Sequence, residues 1–484
     1  MSKSIYITTI EPNSGKSLVS LGILRMMLNQ SSKVGYFRPI INKTKNNFYD
    51  DHTNTAINFF NLDLKYEDCY AFEQSEVVEL LSEGKTDLVI HNIIKKYKQP
   101  ETKYDYVLVE GTDFSGEGGF TELDVNLMVA KNLGIPVLII GAGNDKKKKD
   151  FINTMQLSYT SFIQKEVDVI GVIANKIELD EIDFIEKELK KAIPSEVHID
   201  VVPKIDFLAY PTIKEVAETL NGKILFGEQF LDNSIGSYST GAMQLRNYLT
   251  RIKDNALVIT PGDRADIILG ALQANASSNY PKIAGIILTG GLTPEDAIIK
   301  LIEGVQSTVP IISVEGGTFS ISNKIGAVKP KIYATNNKKI LLALNTFDTY
   351  INVKRLNTIL SKFSSDKLTP SMFQYNLLQK ARVNRKHIVL PEGNDDRIIK
   401  AAARLQLLNI VDLTLLGNKR EIQSKCNQLG IQIDLEKINV LNPEDSIHNE
   451  AFGKALYEAR KHKGLTETTA NDLTRDVSYY GTLM

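Results

Sequence analysis

IYITTIEPNSGKSLVSLGILRMM, residues 5–27, decides the fold. The β-branched run up to Thr9 reads as a strand, Glu11 to Gly15 as a tight loop, and Leu18 to Leu28 as an apolar helix. A strand, loop and helix in this order begins a parallel α/β unit. In a phosphate-binding loop, backbone N–H groups and the helix N-terminus cradle phosphate oxygens. The lysine reaches the terminal phosphates and the hydroxyl ligates Mg²⁺. Gly15, Lys16 and Ser17 supply the second half of that motif, whereas Ile10 stands where its first glycine is usual. Two readings stay open: a loop that binds phosphate, and a retained scaffold that binds nothing.

The same alternation continues outward from the loop. Strands are expected at Val34–Phe37, Tyr106–Glu110, Pro136–Gly141 and Val169–Ala174, with a helix over Asp180–Ala192, giving a first domain over residues 1–221. Glu110 ends the apolar strand DYVLVEG, where a nucleotide fold places a metal or water partner, although a loop cap would look the same. Asn175 and Lys176 follow another strand and are candidates for reading a base edge. A second α/β domain is expected over 222–339. It is marked by Ala256–Thr260 before PGDRADIILGAL, Ile283–Leu288 before TGGLTPEDAIIKLI, and Pro310–Val314 before EGG. Asp263 and Arg264 read there as an N-cap with a local ion pair. Residues 340–383 read as a helical connector. A third unit, 384–484, opens with the strand and turn HIVLPEG and the helix DDRIIKAAARLQLL. The strand IVDLTLLG, the helix KREIQSKCNQLG and the strand KINVLNP follow, then a helix ended by Gly464 and a last one from Thr466.

Composition narrows the class. Hydrophobic residues make up 43% and charged residues 24%, so the chain is neither disordered nor collagen-like. With 57 Lys+Arg against 58 Asp+Glu, no global field exists for nucleic acid or an acidic membrane. The run Lys146 to Lys149 reads as a solvated loop or helix start. The two cysteines, Cys69 and Cys426, exclude a disulfide framework and fit a reducing compartment. Its six histidines, His52 among them, show no metal spacing, so no metal site is expected. No apolar run approaches the roughly 18 residues that span a bilayer, and MSKSIYITTIEP lacks a signal-peptide core. A cytoplasmic protein without membrane or nucleic-acid partners is expected.

The third unit carries the most specific stretches. HIVLPEGNDDRIIKAAA places Glu392 at a strand end and acids at a helix start, and EARKHKG places Arg460, Lys461, His462 and Lys463 at a helix end. Helix-dipole pairing explains both by itself, and a phosphate contact from arginine is the sharper alternative. With LTLLGN and YYGTLM, these stretches resemble the opening of the catalytic domain of the long, multidomain bacterial phosphate acetyltransferases. The loop sequence with VGYFRPI resembles that family's N-terminal P-loop-like domain, itself similar to dethiobiotin synthetase. TPGDRADIILGAL with IILTGG resembles its middle DRTGG domain, the motif reading GDRAD here. The resemblance covers the whole chain in order.

The resemblance implies conversion of acetyl-CoA and orthophosphate to acetyl phosphate and CoA, phosphate attacking the thioester directly. It implies CoA as substrate with no tightly bound cofactor; a homo-oligomer is expected because incomplete α/β sheets usually need a neighbour, and a possible nucleotide effector belongs to the regulatory reading below. By the same resemblance Arg460 contacts CoA. No catalytic residue carries over, because the family's serine-, arginine- and aspartate-bearing motifs lie beyond the point matching Met484. The expectation is therefore a chain truncated within its catalytic domain and inactive alone. Two other readings stand beside it: a regulatory or assembly module sensing a nucleotide or metabolite, and an ATP-dependent enzyme like dethiobiotin synthetase. Ile10 weakens the latter.

Overall fold

The computed structural model describes residues 2–43, 49–112, 122–304, 309–328, 330–363 and 368–484. They form two compact units, Met1–Thr369 and Pro370–Met484.

The first unit opens on a six-stranded sheet of β1 (Lys3–Thr9), β2 (Val34–Phe37), β5 (Tyr106–Glu110), β6 (Val137–Ala142), β7 (Val169–Ile177) and β8 (His198–Pro203). A short ribbon, β3 (Ile40–Ile41) beside β4 (Phe72–Glu73), lies between β2 and β5 in the chain. The spatial order is β2-β5-β1-β6-β7-β8, every pair parallel. Parallel strands covered on both faces read as continuous apolar runs, and the VLIIGA of β6 is buried at every position. The chain leaves β1 towards β2 and later returns to its other side with β6. The crevice that opens at such a reversal, beyond the strands' carboxyl ends, is where open α/β sheets bind ligands.

The stretch read as a connector takes in most of helix Asn337–Tyr350 and all of helix Val353–Lys362, whose Ala343, Phe347, Leu356 and Leu360 belong to the hydrophobic core of this first sheet. Gly22 on helix Lys16–Leu28 makes room for them: a Cβ there would lie 2.1 Å from the Phe347 ring.

The second sheet holds β9 (Lys223–Phe226), β10 (Ser237–Thr240), β11 (Ala256–Pro261), β12 (Ile283–Thr289) and β13 (Ile311–Ser313) in the order β10-β11-β12-β13-β9. Only β9 runs antiparallel to its neighbour. Helix Ile213–Leu220 starts with a Thr212–Glu215 capping box, and its apolar face joins Leu257, Ile259 and Ile312. It therefore packs on the second sheet, ahead of the boundary expected at Asn221. At the expected N-cap, Arg264 pairs with Asp266 (2.8 Å) rather than Asp263, and no side-chain cap bond forms.

The second unit contains the parallel sheet β14 (His387–Leu390), β15 (Asp412–Leu416) and β16 (Asn439–Leu441). Helices Asp396–Leu408 and Lys419–Leu429 are capped by Asp395 and Asn418, and Ile399, Ala402, Ile422 and Cys426 pack onto Leu413 and Leu415. Past Gly464 the single helix expected from Thr466 is two, Glu467–Leu473 and Val477–Leu483, capped by Thr466 and Asp476.

Candidate functional site

The carboxyl ends of neighbouring strands bring Gly15, Lys16, Ser17, Glu110 and Asn175 together. The register places Ile7 beside Glu110 and Ala142 beside Asn175. Two constraints make Gly15 obligatory: its φ is +82°, and a Cβ would sit 2.1 Å from Asn175 Nδ2. That amide donates to the Ser14 carbonyl at 2.8 Å, while Ser14 Oγ donates to the Glu11 carbonyl at 2.7 Å. The loop is thus clamped to β7. Lys176, expected to read a base, instead donates through Nζ to the Asn13 carbonyl at 2.6 Å. Burial holds its ammonium below the usual lysine range. Ile10, in place of the first glycine, packs its Cδ1 over Gly141 at the end of β6.

Lys16 is buried and folded under the loop, donating to the Gly111 carbonyl at 2.6 Å with Glu110 Oε1 at 3.9 Å. Asn126 braces that turn: it accepts from Thr112 N (2.9 Å) and Tyr6 OH (2.7 Å) and donates to the Thr112 carbonyl (3.1 Å). Glu110 is the acceptor at the centre. Its Oε1 accepts from Arg38 Nη1 at 2.6 Å and faces His52 Nδ1 at 2.7 Å, and its Oε2 accepts from Tyr36 OH at 3.2 Å. Burial alone would raise its pKa, but His52, Arg38 and Lys16 outweigh it and hold the carboxyl at about 2. Asp50 caps helix Asp51–Phe60 through Thr53 N (2.9 Å) and lies 3.5 Å from Arg38 Nε. Burial opposes its ionisation too, yet Arg38, His52 and the Thr53 bonds keep its carboxyl below the usual range.

Above this network lies a cavity of about 540 Å³, within the range of small-molecule sites. Its wall includes the loop from Pro12 to Leu18 and the apolar side chains Ile205, Leu208 and Ile332. Lys331 reaches it from the segment after the second sheet and pairs with Asp51 at 2.7 Å. The sequence reading missed Arg38, Asp50, His52 and Lys331 as parts of this site. An arginine directly after the buried strand VGYF was a legible signal, because such a charge needs a buried partner. Nothing local marks Lys331.

Arg460 belongs to the other unit. It ends helix Asn449–Arg460 and is exposed beside Lys461, His462 and Lys463, before Gly464 at φ +82°. Lys461 pairs with Glu458, whereas Arg460 makes no ion pair among the described residues. Glu392 is exposed at the end of β14. The Lys146–Lys149 run leads into helix Lys148–Gln164, with Lys146 paired to Glu11 and Lys148 to Glu181 at 3.0 Å. Among the described residues no group of three or more His, Cys, Asp or Glu could hold a metal ion, and no helix is long and apolar enough to cross a membrane.

Comparison with known proteins divides the chain in the same order. The AAA domain profile matches residues 3–211, the DRTGG domain profile 215–328, and the phosphate acetyl/butaryl transferase profile 372–484. The chain is 36% identical to a phosphate acetyltransferase of Nitratidesulfovibrio vulgaris, over 100% of this chain and 69% of that protein. A phosphate acetyltransferase of Synechocystis sp. is 37% identical over 100% of this chain and 70% of its own. Among solved structures, the EutD phosphotransacetylase from Staphylococcus aureus is 35% identical, covering 22% of this chain and 32% of that chain at a TM-score of 0.21.

Proposed function

The chain belongs to the phosphate acetyltransferase family, a family of acyltransferases, and on that premise we propose how its parts divide the work. The 370–484 unit takes part in converting acetyl-CoA and orthophosphate to acetyl phosphate and CoA. A phosphate oxygen attacks the thioester carbonyl, the new C–O bond forms, the C–S bond breaks, and CoA leaves with its electron pair as thiolate. Such a reaction needs two anionic reactants held side by side and donors for the oxyanion. Arg460 supplies a contact to CoA. What supports this is an exposed guanidinium without an ion-pair partner among the described residues, at a helix end rich in cations. A guanidinium grips phosphate oxygens bidentately.

Arg460→Ala, made in a chain extended to the length of its relatives, tests this. The KM for acetyl-CoA is expected to rise about tenfold or more, since a charge-assisted hydrogen bond contributes about 1.5–3 kcal/mol. The kcat should change far less. An unchanged KM removes Arg460 from the CoA site.

We further propose that the 484 residues do not turn over acetyl-CoA by themselves, because none of them is assigned the base or the oxyanion donors. The assembled protein is a cytoplasmic homo-oligomer; the two buried free cysteines fit a reducing compartment.

The cavity of the first unit carries a second role, an effector site for a nucleotide or similar phosphate-bearing ligand. Its support is one cavity of about 540 Å³ lined both by the phosphate-loop residues Ser14 to Ser17 and by the apolar Ile205, Leu208 and Ile332. Lys16→Ala is expected to abolish ATP binding in a titration, and binding that survives it contradicts the effector site.

A further inference from the structure

The effector reading of the cavity is the basis for a sharper statement about which form of the ligand it takes. In a metal-dependent phosphate loop, the loop hydroxyl and a carboxylate at a neighbouring strand end hold Mg²⁺ directly or through water. The residues at those places are Ser17 and Glu110. Their surroundings do not fit a divalent cation. Both oxygens of Glu110 are committed, Oε1 to Arg38 and His52 and Oε2 to Tyr36. The imidazole of His52 stands between the two residues, with Nδ1 2.7 Å from Glu110 Oε1 and 3.5 Å from Ser17 Oγ. A Mg²⁺ ion demands near-octahedral oxygen ligands at about 2.0–2.1 Å. Here it would meet hydrogen-bond donors and the positive charge of Arg38 and Lys16.

The carboxylates lining the cavity are no freer. Asp50 caps its helix and lies against Arg38, and Asp51 pairs with Lys331. Among the described residues five cationic side chains line the cavity, Lys16, Arg38, Lys176, Lys204 and Lys331, with Glu110, Asp50, Asp51 and Glu178 as their carboxylate neighbours. A phosphate-bearing ligand here therefore meets side-chain and loop N–H donors where a metal-dependent site presents free carboxylate oxygens.

We infer that this cavity binds its phosphate-bearing ligand as the metal-free anion, not as a Mg²⁺ complex. The loop has a shape suited to phosphate, while Glu110, where the motif would hold a metal, sits in an internal ion-pair network.

Titration calorimetry of ATP into the unmodified 484-residue chain tests the inference, once with EDTA and once with excess Mg²⁺. The expected result is an affinity in EDTA equal to or tighter than that in Mg²⁺, because Mg²⁺ withdraws the free anion from solution. Binding that weakens tenfold or more in EDTA overturns the inference and leaves the effector site standing. Absence of binding in both buffers overturns the effector site and the inference together.

Discussion

Glu110 ends β5 with Arg38, His52 and Lys16 around one of its oxygens. Its folded pKa of about 2 lies below the ordinary 4.5, so the ionised form stabilises the fold above that value. The contribution is lost as the pH falls from 4.5 towards 2. The urea midpoint of the first unit is expected to fall through that window. Glu110→Gln should flatten the fall and cost about 3–5 kcal/mol at neutral pH, since it strips a buried cation of its carboxylate. A variant as acid-sensitive as the parent would contradict this. Gly15→Ala is expected to cost about 1–2 kcal/mol for the left-handed backbone alone. The clash with Asn175 should also abolish ATP binding in the same titration. Gly15, Lys16, Ser17 and Glu110 were legible because each sits at the end of an obvious strand or start of an obvious helix. His52 was not, since its meaning depends on a partner 58 positions away in the chain (110 − 52), and no local pattern records that distance.

Among the elements, the apolar strands of the first sheet identified themselves, because burial on both faces leaves an unbroken run. His198–Pro203 escaped, its HIDVVP carrying two polar residues, His198 and Asp200, among its first three, which breaks the apolar run. Helices Asn337–Tyr350 and Val353–Lys362 show a different limit. Their amphipathic pattern says that one face is buried, but not against what. The answer is Gly22 and the core beneath it, more than three hundred residues earlier in the chain. A fragment ending at residue 221 is therefore expected to expose that core and aggregate, whereas one ending at residue 363 should unfold cooperatively in urea. Phe347→Ala should cost about 3–5 kcal/mol, as fully buried aromatic truncations do. Equal stability of the two fragments would show that these helices contribute nothing to the first fold.

At the scale of the whole molecule, the order of three α/β domains was legible from repeated strand–turn–helix spacing, and the transferase family from specific stretches spread over residues 387–484. Which elements belong to which compact unit was not legible, because packing ignores chain boundaries. The chain spans about 70% of the length of its curated relatives. The proposed division of labour places substrate chemistry in the 370–484 unit and anion sensing in the first unit. Phosphate-dependent release of the CoA thiol from acetyl-CoA tests that division most directly, measured for the 484-residue chain and for a chain extended to its relatives' length. Release by the extended chain only, dependent on added phosphate, is the predicted result. Robust release by the 484 residues alone would contradict the account, because the base and oxyanion donors would then lie among residues to which it assigns no such role.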